Sequence, residues 1–140
     1  LRSGHLVMNY TPENVDALAE YYLSEIKAIA PAGALVFAGV CQGATIAHAL
    51  ALKLSANGRP PSPLVFIEQD RIVSYEGEIT FIYTEDSYLN PAKRSDLSAY
   101  EQAYGERCTV KTIPGEHGTI FVEPNIHFLA AALKAAFAKA

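Results

Sequence analysis

Apolar positions recur at three- and four-residue steps from Val15 through Leu18, Tyr22 and Ile26 to Ile29, the stripe of an amphipathic helix facing a core. Thr11-Pro12-Glu13-Asn14 marks its start, with a capping hydroxyl, proline at the first helical position and an acid in the first turn. Pro31 and Gly33 stop it. The period then changes: residues 34–40 are continuously apolar and too short for a comfortable helix, which predicts a parallel strand buried on both faces. Residues 44–54, rich in alanine and leucine and closed by Asn57-Gly58, predict a second helix. Beyond Pro60-Pro61-Ser62-Pro63, residues 64–67 predict a second buried strand that runs out into Glu68-Gln69-Asp70.

A third strand is predicted at 79–83, with a polar exit over 84–91, followed by a helix at 95–104 that ends at Gly105. Residues 108–113 alternate as a half-buried strand near a sheet edge. The last segment, 124–139, is alanine-rich with Ile126, Leu129, Leu133 and Phe137 on one face. Four strands alternating with four helices predict an α/β fold: a mainly parallel sheet, helices on both faces, and functional residues beyond the carboxyl ends of the strands. The 140 residues make one domain. The chain starts at Leu1, so residues 1–9 read as a terminal segment, added to or cut from a longer chain, and 10–140 as the domain.

Composition narrows the function. Half the residues are apolar and 19% are charged, enough buried surface to fold one core. The net charge of −4 and the lack of a basic cluster argue against a nucleic-acid partner. The longest apolar stretch, 32–41, is about half the roughly 20 residues that cross a bilayer, so no membrane partner is expected. Two cysteines and no signal pattern point to the reducing cytoplasm and to no disulfide framework. Without a phosphate-cradling glycine motif a flavodoxin-type ligand domain is disfavoured, and neither a cofactor nor a metal is expected.

Gly39-Val40-Cys41-Gln42-Gly43 lies where a buried strand turns directly into a helix, the context of a nucleophile elbow with cysteine in the serine position. Small neighbours leave room for a strained, projecting nucleophile. The helix that begins at Gln42 sets its positive end beside Cys41, which favours thiolate, and the Gln42 N–H becomes an oxyanion donor. Pro114-Gly115-Glu116-His117-Gly118 follows the last strand and places His117 as the general base. His5, His48 and His127 read as surface or packing residues. Glu68 and Asp86 each end a strand and each could orient His117; Asp70 stands two residues further into the loop. The order nucleophile, acid, histidine is that of α/β-hydrolases.

Three segments carry a resemblance to the thioesterase domains that end nonribosomal peptide and polyketide assembly lines, a branch of the α/β-hydrolase superfamily. Tyr10-Thr11-Pro12-Glu13 and the helix it opens resemble the helix before that family's elbow strand; Gly39-Val40-Cys41-Gln42-Gly43-Ala44 resembles its elbow. Ile113-Pro114-Gly115-Glu116-His117-Gly118 with Glu123-Pro124-Asn125-Ile126 resembles its histidine loop and closing helix. The resemblance implies a Cys41 acyl-enzyme, His117 as base and a carrier protein that presents the acyl chain as a pantetheine thioester. It assigns the acid to Glu68, where aspartate is more usual; most other α/β-hydrolases, dienelactone hydrolases with their elbow cysteine among them, take it one strand later, at Asp86. It also implies further strands with a second oxyanion donor, which nothing before Tyr10 supplies, and a lid where only residues 69–78 separate two strands. The expected fold is therefore a partial or reduced α/β-hydrolase whose unpaired sheet edge invites a homodimer. A noncatalytic hydrolase fold that binds protein through that edge is the alternative to an enzyme.

Overall fold

The computed structural model describes residues 9–140, so the terminal segment expected over 1–9 lies outside the described residues except for Asn9. Helix α1 (Pro12–Ile29) starts where the sequence places it, with Thr11 Oγ1 accepting the Asn14 N–H at 3.2 Å. Val15, Leu18, Tyr22 and Ile26 are buried, but Ile29 is exposed: the packed stripe ends one turn before the helix does.

Strand β1 (Phe37–Val40) turns into α2 (Gln42–Ala56), then come β2 (Leu64–Ile67), β3 (Ile79–Thr84), α3 (Pro91–Arg94) and α4 (Leu97–Tyr104). A 3₁₀ turn (Gly105–Arg107) leads to β4 (Cys108–Ile113), and a second one (His117–Thr119) precedes α5 (Asn125–Phe137). All strand pairs are parallel and the sheet order is β1-β2-β3-β4. The fold class matches the expected reduced α/β-hydrolase sheet.

Two expectations are corrected. The first strand covers only residues 37–40 and is not buried on both faces, because among the described residues it stands at the sheet edge with one neighbour, and Ala38 is exposed. Continuous hydrophobicity predicts burial on both faces, yet here part of the strand faces the groove described below. The described residues also hold five α-helices where four were expected; α3, between the expected polar exit and the helix expected at 95–104, is nucleated by the Asn90 side chain, which accepts the Ala92 N–H at 3.0 Å.

The central strands β2 and β3 are buried along their whole length, and their alternate residues face two different cores. Leu64, Phe66, Phe81 and Tyr83 pack under Ala44, Ala47 and Ala51 of α2 and Tyr100 and Tyr104 of α4. Val65, Ile67, Ile82 and Ile113 pack on Leu129, Ala132 and Ala136 of α5 on the other face. Helix α1 rests on α2 rather than on the sheet, through Leu18, Tyr22 and Ile26 against Ile46, Leu50 and Leu54. Because every strand is parallel, the carboxyl ends at Val40, Ile67, Thr84 and Ile113 come to one side of the sheet, and the chain leaves that side through Cys41, Glu68, residues 85–90 and residues 114–119.

The β1-to-α2 turn depends on Gly39. A Cβ there would stand 2.5 Å from Ala44 Cα and 2.6 Å from the Gly43 carbonyl oxygen, backbone atoms that cannot step aside, whereas a Cβ on Gly43 meets nothing within 4 Å. Gly39→Ala is expected to destabilise the fold by about 3 kcal/mol and Gly43→Ala to change stability by less than about 0.5 kcal/mol, as read from urea midpoints.

Candidate active site

Cys41 occupies the single residue between β1 and α2, with φ 49° and ψ −119°, a left-handed conformation that costs a non-glycine residue about 1–3 kcal/mol. Two backbone bonds impose it: the Cys41 N–H donates to the Ile67 carbonyl at 2.9 Å, and the Cys41 carbonyl accepts the Ala44 N–H at 3.0 Å. The thiol is exposed, and among the described residues its sulfur makes no hydrogen bond. Gln42 opens α2, and the first N–H groups of a helix have no acceptor within it, so a backbone donor stands next to the sulfur. No acidic residue in the first turn offsets that end of the helix. A groove of about 470 Å³ reaches from Cys41 and Gln42 along β1, walled by Tyr22, Phe37, Ile46 and Leu50.

Glu68 follows β2 directly, also with a positive φ of 54°, and its side chain is 1% exposed. A carboxylate so enclosed needs donors, and among the described residues four reach it. Oε1 accepts the Thr84 N–H at 2.5 Å and the Thr84 hydroxyl at 2.8 Å; Oε2 accepts the Ser87 hydroxyl at 2.6 Å and meets His117 Nδ1 at 2.6 Å. Burial alone pushes the Glu68 carboxyl up, but the Ser87 hydroxyl, the Thr84 N–H, His117 and the Thr84 hydroxyl together hold it below the ordinary carboxylate range. Facing an ionised acceptor, Nδ1 carries the proton and donates, which leaves Nε2 as the free ring nitrogen.

His117 begins the 3₁₀ turn after β4, and its side chain is 37% exposed. The loop is pinned on both sides: the Glu116 N–H donates to Thr119 Oγ1 at 3.0 Å, and Asn125 Nδ2 donates to the same oxygen at 3.0 Å. Gly115, at φ 113°, is needed because a Cβ would collide with the Asn125 amide. The Tyr88 ring lies 5.7 Å from that of His117, tilted by 45°.

The other sequence candidates are placed elsewhere. Asp86, with a side chain 62% exposed, pairs with Lys93 at 3.0 Å and does not reach His117. Asp70 pairs with Arg94 at 3.5 Å. His48 Nε2 bonds the Ser74 carbonyl at 2.8 Å and His127 lies 3.5 Å from Glu123, both in packing or surface roles. Burial pushes the Cys108 thiol up to about 11. Sequence reasoning missed Thr84, Ser87 and Tyr88. They lie in what read as a polar strand exit, and only a hydroxyl-rich stretch beside a strand end hinted at a carboxylate cradle. Among the described residues no group of three His, Cys, Asp or Glu is placed to hold a metal, and no helix is long and apolar enough to cross a membrane.

The family model "Thioesterase domain" matches residues 7–71, which include α1, the elbow and Glu68. The fold is similar to that of the NocB thioesterase domain from the nocardicin cluster, at 15% identity and a TM-score of 0.72 over 89% of this chain and 73% of that one. It is also similar to the type II thioesterase BorB from the borrelidin biosynthetic cluster, at 14% identity, TM-score 0.64, 87% and 70%. Human thioesterase 2 aligns at 12% identity, TM-score 0.64, 84% and 79%. No curated protein matches in sequence.

Because the folded-state pKa of Glu68 is depressed, its contribution to stability is complete above the unfolded value of about 4.3 and is lost as pH falls through the lower folded value. Glu68→Gln, which strands buried donors, is expected to lose about 1–3 kcal/mol at neutral pH and to flatten the acid limb of the stability curve, measured by urea unfolding at a series of pH values.

Proposed function

We propose that this chain, thioesterase-like in its family match and an α/β-hydrolase in fold, cleaves an acyl or peptidyl thioester through an acyl-enzyme on Cys41, with His117 as general base and Glu68 as the acid that orients it. The observation that carries this reading is the 2.6 Å bond from His117 Nδ1 to a buried, ionised Glu68, on the same side of the sheet as a strained elbow cysteine. A surface histidine has no need of a buried carboxylate held by three other donors.

In the first half-reaction His117 Nε2 takes the Cys41 thiol proton and Sγ attacks the thioester carbonyl, forming a new C–S bond and an oxyanion that the Gln42 N–H stabilises. Collapse breaks the bond to the pantetheine sulfur, which leaves with the proton from Nε2. In the second, His117 takes a proton from water, or from an amine or hydroxyl of the chain itself; that oxygen or nitrogen attacks the Cys41 thioester, and the Cys41 sulfur departs and is reprotonated. Exchange between two thioesters is nearly balanced in energy, so the Cys41 intermediate stays more activated than an oxygen ester and suits acylation of a weak internal nucleophile.

The partners of this reading are a carrier protein with a pantetheine thioester and, through the edge of β1 that pairs with no other strand among the described residues, a second copy of the chain. Cytoplasmic placement fits its two free thiols, Cys41 and Cys108. The dienelactone-hydrolase alternative requires Asp86 at the histidine and is disfavoured by the Asp86–Lys93 ion pair. The noncatalytic alternative has no use for the Glu68 cradle.

Iodoacetamide alkylation, followed by peptide mass spectrometry across pH, tests the Cys41–His117 pair, with Cys108 as internal control. Cys41 is expected to react faster than Cys108 near neutral pH, and His117→Ala to change the pH profile of that reaction. An inert Cys41, or one indifferent to His117, contradicts the proposal.

A further inference from the structure

Ser87 takes no part in the steps above, yet it is completely buried and bonded to the one carboxylate oxygen that meets the histidine. Its Oγ accepts the Leu89 N–H at 3.1 Å, which occupies a lone pair and directs the hydroxyl hydrogen to Glu68 Oε2. Glutamate has one more rotatable bond than aspartate, and each unfastened torsion spreads the positions its oxygens occupy. Thr84 fastens Oε1 twice; apart from His117 itself, only Ser87 among the described residues fastens Oε2.

The turn that carries Ser87 is itself anchored. Asn90 Nδ2 donates to the Thr84 carbonyl at 3.1 Å and to Thr112 Oγ1 at 3.3 Å, tying the turn to β4. The Asp86 N–H donates to the Gly115 carbonyl at 2.9 Å, two residues before His117. Tyr88, directly after Ser87, lays its ring beside the imidazole. One turn therefore touches both members of the pair.

We propose that Ser87 is the positioning residue of this site: its hydroxyl fixes Glu68 Oε2 where it can hold His117 Nδ1, and so lets a glutamate orient the histidine. The proposal rests on the Cys41–His117 reading above and is separable from it. The test is the pH midpoint of Cys41 alkylation in the full chain for wild type, His117→Ala, Ser87→Ala, Ser87→Thr and Ser87→Val, with thermal melting to follow folding. Ser87→Ala is expected to move the midpoint most of the way to that of His117→Ala. Threonine and valine have nearly the same volume, so Ser87→Thr retaining the wild-type midpoint while Ser87→Val moves it isolates the hydroxyl from packing. If His117→Ala moves the midpoint and the variants without the hydroxyl do not, the Ser87 proposal is overturned and the Cys41–His117 pair stands; if His117→Ala moves nothing, both fall. In the wild type, where no variant has to fold, the Ser87 hydroxyl proton is expected to exchange slowly in NMR spectra and to follow the titration of Glu68. A Ser87 hydroxyl exchanging as fast as one on the surface overturns the proposal.

Discussion

A carboxylate with 1% of its side chain exposed cannot stay ionised unless donors replace the water it has lost, and the geometry around Glu68 follows from that requirement. Thr84 and Ser87 must lie at the end of β3 to supply three of those donors, and His117 must come back from the end of β4 to supply the fourth. The pull of desolvation is outweighed only because all four act together. The network thus joins the ends of three adjacent parallel strands, and one bond of it leaves the imidazole with a single free nitrogen.

Parallel pairing does the rest of the placement. With β1 next to β2, the residue after each strand falls on one side of the sheet, so Cys41 and Glu68 are neighbours by topology before any side chain is considered. The elbow adds the local strain: Cys41 is held at positive φ by backbone bonds to Ile67 and Ala44, and Gly39 gives the close approach of β1 to α2 that this conformation needs. Helix α2 is anchored on both sides, by Ala44, Ala47 and Ala51 on the sheet and by Ile46, Leu50 and Leu54 on α1. Cys41, directly before its first turn, is therefore carried on a rigid support, while β1 keeps an edge without a partner among the described residues.

Much of this was readable from the chain. The glycines around Cys41 announced a strand-to-helix turn, Thr11-Pro12 announced a helix, and Pro114-Gly115 announced a loop with His117 in it. The choice between Glu68 and Asp86 was not readable, since both are carboxylates at strand ends and local pattern is the same for each. What separates them is the Ser87 hydroxyl, nineteen residues from Glu68 in sequence, and the Lys93 ammonium that draws Asp86 to the surface. The exposure of Ala38 on β1 escaped for a related reason: hydrophobic runs suggest that a segment is covered, not on how many of its faces. Helix α3 escaped because four residues capped by Asn90 are too short to show a period.

The central claim, a thioester acyl-enzyme on Cys41 formed with the help of a Glu68-oriented His117, is tested most directly by rapid acid quenching of the chain mixed with an acyl-pantetheine thioester, followed by peptide mass spectrometry. The account predicts an adduct of the acyl mass on the Cys41 peptide, absent in Cys41→Ala and formed far more slowly in His117→Ala. No adduct on Cys41, or one that forms equally fast without His117, would contradict it.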